Sequence, residues 1–142
     1  MKLEYVLLED NNGIKGIAPF KATEGSACYD LACPKVVPIF PHSTVVIPLL
    51  ISFNISEGYY IQMYPRSSLH AKYGILSNTG IIDTDYKKTV HAVLYNSNSE
   101  KMFVQKGERI MQFTIMKKED FTLTEVDYIQ DSNRGGLGST GI

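Results

Sequence analysis

The chain has 142 residues, 44% hydrophobic and 20% charged, which fits one soluble globular domain with a core of its own. Its formal net charge is −1, from 14 Lys and Arg against 15 Asp and Glu, so no overall basic field draws in nucleic acid. Any anionic ligand must be met by positive charge gathered locally. No apolar run is long enough to span a membrane, and the N-terminal MKLEYVLLED has no apolar signal core, so the expectation is a soluble, cytoplasmic protein that is not secreted.

In chain order, residues 2–8 read as a first strand. Cys28 and Cys33 follow without a CxxC spacing and read as two small half-buried hydrophobes in a reducing compartment. Residues 43–49, 59–64, 89–95, 102–105 and 109–116 are short, rich in Val, Ile, Tyr and Phe, and separated by Gly, Pro, Asn and Ser. They predict strands, and 121–127 predicts a last one. Strands at roughly ten-residue spacing argue for a sandwich, jelly roll or barrel. Only Ser67–Tyr73 predicts a helix, with Ser at its start and Gly74 at its end. Residues 131–142 hold four glycines, two serines and one threonine. On composition alone that run is a frayed tail.

Four segments carry residue types that suit chemistry. Tyr64-Pro65-Arg66-Ser67-Ser68-Leu69 places an Arg and two hydroxyls where a helix begins, which makes either an anion site or a Ser67 cap with a surface Arg. Gly80-Ile81-Ile82-Asp83-Thr84-Asp85-Tyr86 sets a carboxylate against two bulky apolar residues. Asp83 is there either as a general base in a cleft or as a turn former. Lys106–Phe113 reads as a turn leading into a strand, with a solvated charge pair and with Arg109 and Gln112 on opposite faces. Gly135–Gly141 could wrap phosphate with main-chain N–H groups, but it is neither a Walker A loop nor a Rossmann turn.

Each segment is ambiguous alone, whereas their order is specific. Ala22–Leu31 (ATEGSACYDL), Pro65–Ile75 (PRSSLHAKYGI), Gly80–Asn96 (GIIDTDYKKTVHAVLYN), Lys106–Phe113 (KGERIMQF) and Arg134–Gly141 (RGGLGSTG) resemble, in sequence, the five motifs of the trimeric dUTPase family. The resemblance implies an all-β, distorted jelly-roll barrel over residues 1–130, followed by an arm, 131–142, that closes over the active site. It also implies a homotrimer whose sites take residues from more than one chain, and a dUTP diphosphatase that uses Mg²⁺. Such an enzyme converts dUTP to dUMP and pyrophosphate, which keeps uracil out of DNA and supplies dUMP for thymidylate synthesis.

Site roles carry over by position. Asp83 matches the catalytic Asp that deprotonates the attacking water. Arg66, Ser67, Ser68 and Gln112 match phosphate-binding residues, as do Arg134, Gly138, Ser139 and Thr140 of the arm. Asn78, Gly80, Ile81 and Ile82 match the backbone that reads uracil, and Tyr86 matches the ring packed under deoxyribose. Leu137 stands where the family usually has an aromatic residue stacked on the base. Asp30 matches an Asp that meets the Mg²⁺ shell through water or serves structure. Leu137, the short spacing after Arg134, Cys28 and Lys87-Lys88 depart from the family's pattern. A dCTP deaminase of the same fold would carry a Glu on the strand after the base-binding turn, and Val90–Asn96 has none. A second, regulatory protein-binding job, of the kind some viral members perform, stays open; no direct nucleic-acid or membrane partner is expected.

Overall fold

The frame of the molecule is an antiparallel pair of long strands. β6 (Tyr59–Pro65) and β11 (Arg109–Lys117) are in register from Tyr59↔Lys117 to Pro65↔Met111. β2 (Tyr29–Ala32) joins the far side of β11 and β8 (Gly80–Ile82) the far side of β6, giving the sheet order β2-β11-β6-β8. A second sheet has the order β4-β9-β7, from Thr44–Pro48, His91–Asn96 and Ile75–Ser77. Two smaller pairs are β1 (Glu4–Leu7) with β5 (Ile51–Asn54), and β3 (Val37–Ile39) with β10 (Met102–Val104). The computed structural model describes residues Met1–Gly141; Ile142, the last residue of the predicted arm, lies outside them.

Inward-facing residues of these strands form one core. Leu31, Ile47, Ile51, Ile61, Leu94 and Ile110 are almost wholly withdrawn from water. Each such side chain contributes about 1.5–3 kcal/mol through burial. Asn96 is 0% exposed, yet its side chain is satisfied: Nδ2 donates to the carbonyls of Ile39 and Glu100, and Oδ1 accepts from the Asn98 amide. The architecture is the all-β jelly roll that the strand pattern and the resemblance imply.

The six strands predicted before residue 118 form within two residues of their expected ends. β2, β3, β5, β7 and β8, of three or four residues each, were not expected; runs that short show no period of their own, and β1 and β10, equally short, were read from the stretches 2–8 and 102–105 that contain them. The strand expected over 121–127 does not form. Its Phe121 and Leu123 are 79% and 88% exposed, and regular structure ends at Lys117. An alternating segment becomes a strand only when a neighbour accepts its backbone hydrogen bonds.

Helix α1 (Ser67–Tyr73) forms where expected. Arg66, in extended conformation, occupies the capping position, and no side chain caps the helix, so Ser67 does not perform the capping its position suggests. Gly74 closes the helix in the left-handed conformation at φ 64°, which favours glycine.

Candidate active site

Asp83 sits just past β8, at the start of a turn. The Tyr86 amide donates to the Asp83 carbonyl at 3.2 Å. The turn reading of this residue therefore holds. Its side chain is exposed and lines an open depression with Tyr59, Tyr60, Ile81, Thr84, Asp85 and Lys118. Tyr86 is fixed at its far end, where its hydroxyl donates to the Thr89 carbonyl at 2.7 Å. The chain then returns to β5: Ser52 Oγ donates to the Lys87 carbonyl, Lys87 Nζ to Asn54, and the Leu50 amide to Thr89 Oγ1. Lys87 thus ties the hairpin exit to the barrel. Gly80, Ile81 and Ile82 pair with Met63, Gln62 and Ile61, while Asn78 and Thr79 lie exposed between the two sheets. The Gln62 side chain donates to the Gly80 carbonyl at 3.3 Å and so stiffens the start of β8.

The second group of residues lies at the other end of β6. Arg66 and Ser68 line a depression with Leu69, Lys72, Tyr73, Gly107, Glu108 and Arg109. Its cations are Arg66, Lys72 and Arg109, opposed by Glu108. The buried Asp30 behind Arg66 and Arg109 offsets a further charge, which leaves a small local positive excess. Gln112 is attached to the same corner, its Nε2 donating to the Pro65 carbonyl at 2.9 Å.

Asp30 ties this corner together. It is 6% exposed, and both of its oxygens are engaged: Oδ1 by Arg66 Nε at 3.1 Å and Oδ2 by Arg109 Nη1 at 3.3 Å. Arg66 Nη1 also donates to the Arg109 carbonyl at 3.2 Å, and the Arg109 guanidinium lies 5.0 Å from the Phe20 ring centre. Phe20 is held opposite Asp30 by reciprocal backbone hydrogen bonds of 3.0 and 2.7 Å. The partner of Arg109 is thus the buried Asp30.

The expected opposition of Arg109 and Gln112 is corrected. Register against β2 shifts between Arg109 and Met111, so Arg109 faces Ala32 and Gln112 faces Asp30. Ala32 and Asp30 share a face, and so therefore do Arg109 and Gln112. The bulge turns both Ile110 and Met111 inward and brings two polar side chains to one side. Arg109 is the functional candidate that the sequence reading missed. The signal that points to it is Asp30, since a buried carboxylate demands a cation.

The two depressions share no lining residue. Ile82 pairs with Ile61, which sets Asp83 beside Tyr60, six residues before Arg66 along β6 and its continuation. At a strand's rise this is about 20 Å.

The arm is held by its own turns. Ser139 Oγ donates to the Gly135 carbonyl, the Ser139 amide to that of Gly136, and the Gly141 amide to that of Gly138. Arg134, Leu137, Gly138, Ser139 and Thr140 are exposed, and none lines either depression. Burial, followed by the charge of Asp30, raises the Cys28 thiol above its ordinary value; burial foremost raises that of Cys33. Cys33 is fully buried and Cys28 half-buried.

Among the described residues, no three His, Cys, Asp or Glu side chains cluster to hold a metal ion. Both oxygens of Asp30 are already neutralised. Among the described residues, Asp30 of this corner therefore has no carboxylate oxygen free of a cationic partner. No helix among the described residues is long and apolar enough to cross a membrane.

Solved structures define the class of fold. The chain superposes on a mutant dUTPase of Staphylococcus bacteriophage 80alpha in the presence of dUpNHpp, with a TM-score of 0.86 at 23% identity over 99% of each chain. It likewise superposes on a phage phi11 dUTPase, a mutant described as coordinating a structural Mg(II) ion, with a TM-score of 0.79 at 20% identity over 90% of this chain and 98% of that one. The fold is thus that of a dUTPase subunit. In sequence, residues 15–141 match the dUTPase family model. Curated deoxyuridine 5'-triphosphate nucleotidohydrolases of Hydrogenobaculum and Candida glabrata are 36% and 35% identical, over 87% and 89% of this chain and 90% of each relative. That of Paramecium bursaria Chlorella virus 1 is 34% identical over 87% of this chain and 89% of its own length. The chain belongs to the dUTPase family.

Proposed function

We propose that this chain hydrolyses dUTP to dUMP and pyrophosphate, with Asp83 as general base. The family match across residues 15–141 carries the reading. Asp83 takes a proton from water, the water oxygen bonds to the α-phosphorus, and the bond from that phosphorus to the bridging oxygen breaks, so pyrophosphate leaves. The exposed carboxylate in an open depression suits that task, because water reaches it freely. Arg66, Ser67, Ser68 and Gln112 bind the phosphates, and displacement at phosphorus rests mainly on such positioning and neutralisation. Mg²⁺ held by the phosphates adds neutralising charge when bound. Tyr86, fixed through its hydroxyl, forms the floor under the sugar. The backbone from Asn78 to Ile82 reads uracil, and mismatch at main-chain groups that a bound base withdraws from water rejects cytosine.

The span of about 20 Å along β6 supports a site shared between copies, because one nucleotide does not bridge Asp83 and Arg66 of a single chain. The resemblance to the trimeric dUTPases makes that shared assembly a homotrimer. The segment from 131 to 141 forms an arm that closes over the site through Arg134, Leu137, Gly138, Ser139 and Thr140. Removal of dUTP keeps uracil from entering DNA. The test is product analysis with Mg²⁺ and dUTP, dCTP, UTP and dTTP in parallel. dUMP and pyrophosphate from dUTP alone support the reading; ammonia released from dCTP reverses it in favour of a deaminase.

A further inference from the structure

We infer that Asp30 is a positioning residue for the phosphate-side arginines: it fixes the guanidinium of Arg66 and, with Phe20, that of Arg109. The inference rests on the reading of Arg66 as a phosphate-binding residue. Arg66 commits Nε to Asp30 Oδ1 and Nη1 to the Arg109 carbonyl. Those two contacts fix the plane of the group and leave Nη2 as the nitrogen not engaged by them. Arg109 is restrained on two sides, by Asp30 Oδ2 and by the Phe20 ring. The restraint reaches the strand itself, because Phe20 and Asp30 exchange backbone hydrogen bonds and Gln112 stands directly across from Asp30.

A carboxylate beside an anion site is electrostatically adverse, since it repels the ligand that the arginines attract. Its presence there, buried and doubly paired, is accounted for by geometry rather than by affinity. Arg side chains lose much rotational freedom when held, and a guanidinium held before the ligand arrives need not be ordered during the reaction. Without Asp30 the corner keeps its cations and loses their alignment. Binding of a bare phosphate chain is then preserved, while the rate of the positioned reaction falls.

The experiment compares the full-length wild type with Asp30→Asn, which keeps the shape and removes the charge. Turnover of dUTP should fall at least about tenfold, as expected for misplacing a positioning group, with no rise in KM. Inorganic tripolyphosphate, titrated calorimetrically in EDTA, should bind the variant no more weakly than the wild type. A raised KM with turnover kept, or weaker tripolyphosphate binding, overturns the inference. So does a variant whose turnover recovers fully at saturating Mg²⁺, since that outcome assigns Asp30 to the metal shell. So does a lowered melting temperature with unchanged kcat and KM, which leaves only a structural role.

If Asp30→Asn does not fold, Phe20→Leu removes the ring beneath Arg109 at an exposed position. It should lower kcat about two- to fivefold at unchanged KM, a loss of the size of one cation–π contact; unchanged kcat overturns the proposal. A wild type that fails to hydrolyse dUTP sinks the functional reading. An active wild type with a fully active Asp30→Asn sinks this inference alone.

Discussion

The Gln112 side-chain amide donates to the carbonyl of Pro65, which fastens β11 to the residue just before Arg66. Gln112→Glu keeps the size but sets a carboxylate against that carbonyl and next to the cationic corner. KM for dUTP should rise at least tenfold, equivalent to about 1.4 kcal/mol, with a smaller change in kcat. Steady-state kinetics at fixed ionic strength checks this, and an unchanged KM would remove Gln112 from phosphate binding.

Asp83→Asn replaces the proposed base by an amide that cannot accept a proton. Turnover should drop at least about a hundredfold while binding of dUTP persists. Calorimetric binding with rapid-quench kinetics separates the two effects. Near-normal turnover would sink the assignment of the base.

Leu137 is fully exposed on the arm. Leu137→Phe restores the aromatic residue usual in the family, and stacking on uracil should tighten dUTP by up to about tenfold, on the order of 1 kcal/mol. Truncation after Gln130 should leave the fold intact, because regular structure ends at Lys117, and depress activity. A truncated chain that hydrolyses dUTP as fast as the full one would show that the arm is not part of the site.

Cys33 is buried, and its Sγ donates to the Lys35 carbonyl at 3.0 Å. In the unfolded chain the thiol ionises near its ordinary value of 9.0, whereas burial holds it neutral to higher pH in the fold. A raised folded value gives stability that is fully present below the unfolded value and is lost as pH rises above it. Cys33→Ala should therefore be less stable than wild type at about pH 7, by roughly 1 kcal/mol or more from the lost hydrogen bond and methylene-sized gap. The difference should narrow above about pH 9. Urea denaturation at both pH values measures it, and a constant difference would contradict the assignment.

Much of the barrel was legible from residues alone. Runs rich in Val, Ile, Tyr and Phe between turn residues mark the strands that were read, and the Ser-to-Gly frame of α1 marks its ends. The bulge in β11 was not legible, because one extra residue leaves no signature in a pattern read two at a time, and it reverses which face Arg109 occupies. The Arg109–Asp30 pair joins residues 79 apart in sequence, so no local pattern contains it. Residues 121–127 carry a strand's alternation, but whether they form one is decided by a neighbouring edge, which is a property of the fold around them. Asp83 and Arg66 were singled out through motif order; their separation along β6 required the register.

That separation has a genetic consequence. If each working centre joins Asp83 of one copy to Arg66 of another, lesions at the two positions belong to different halves of a centre. Asp83→Asn and Arg66→Gln chains, each inactive alone, should regain activity when refolded together, since some interfaces then unite an intact half from each. An Asp83→Asn chain co-expressed with wild type should likewise disable centres in which the other half is sound. Two damaged copies of the gene could then sustain a cell that neither sustains by itself.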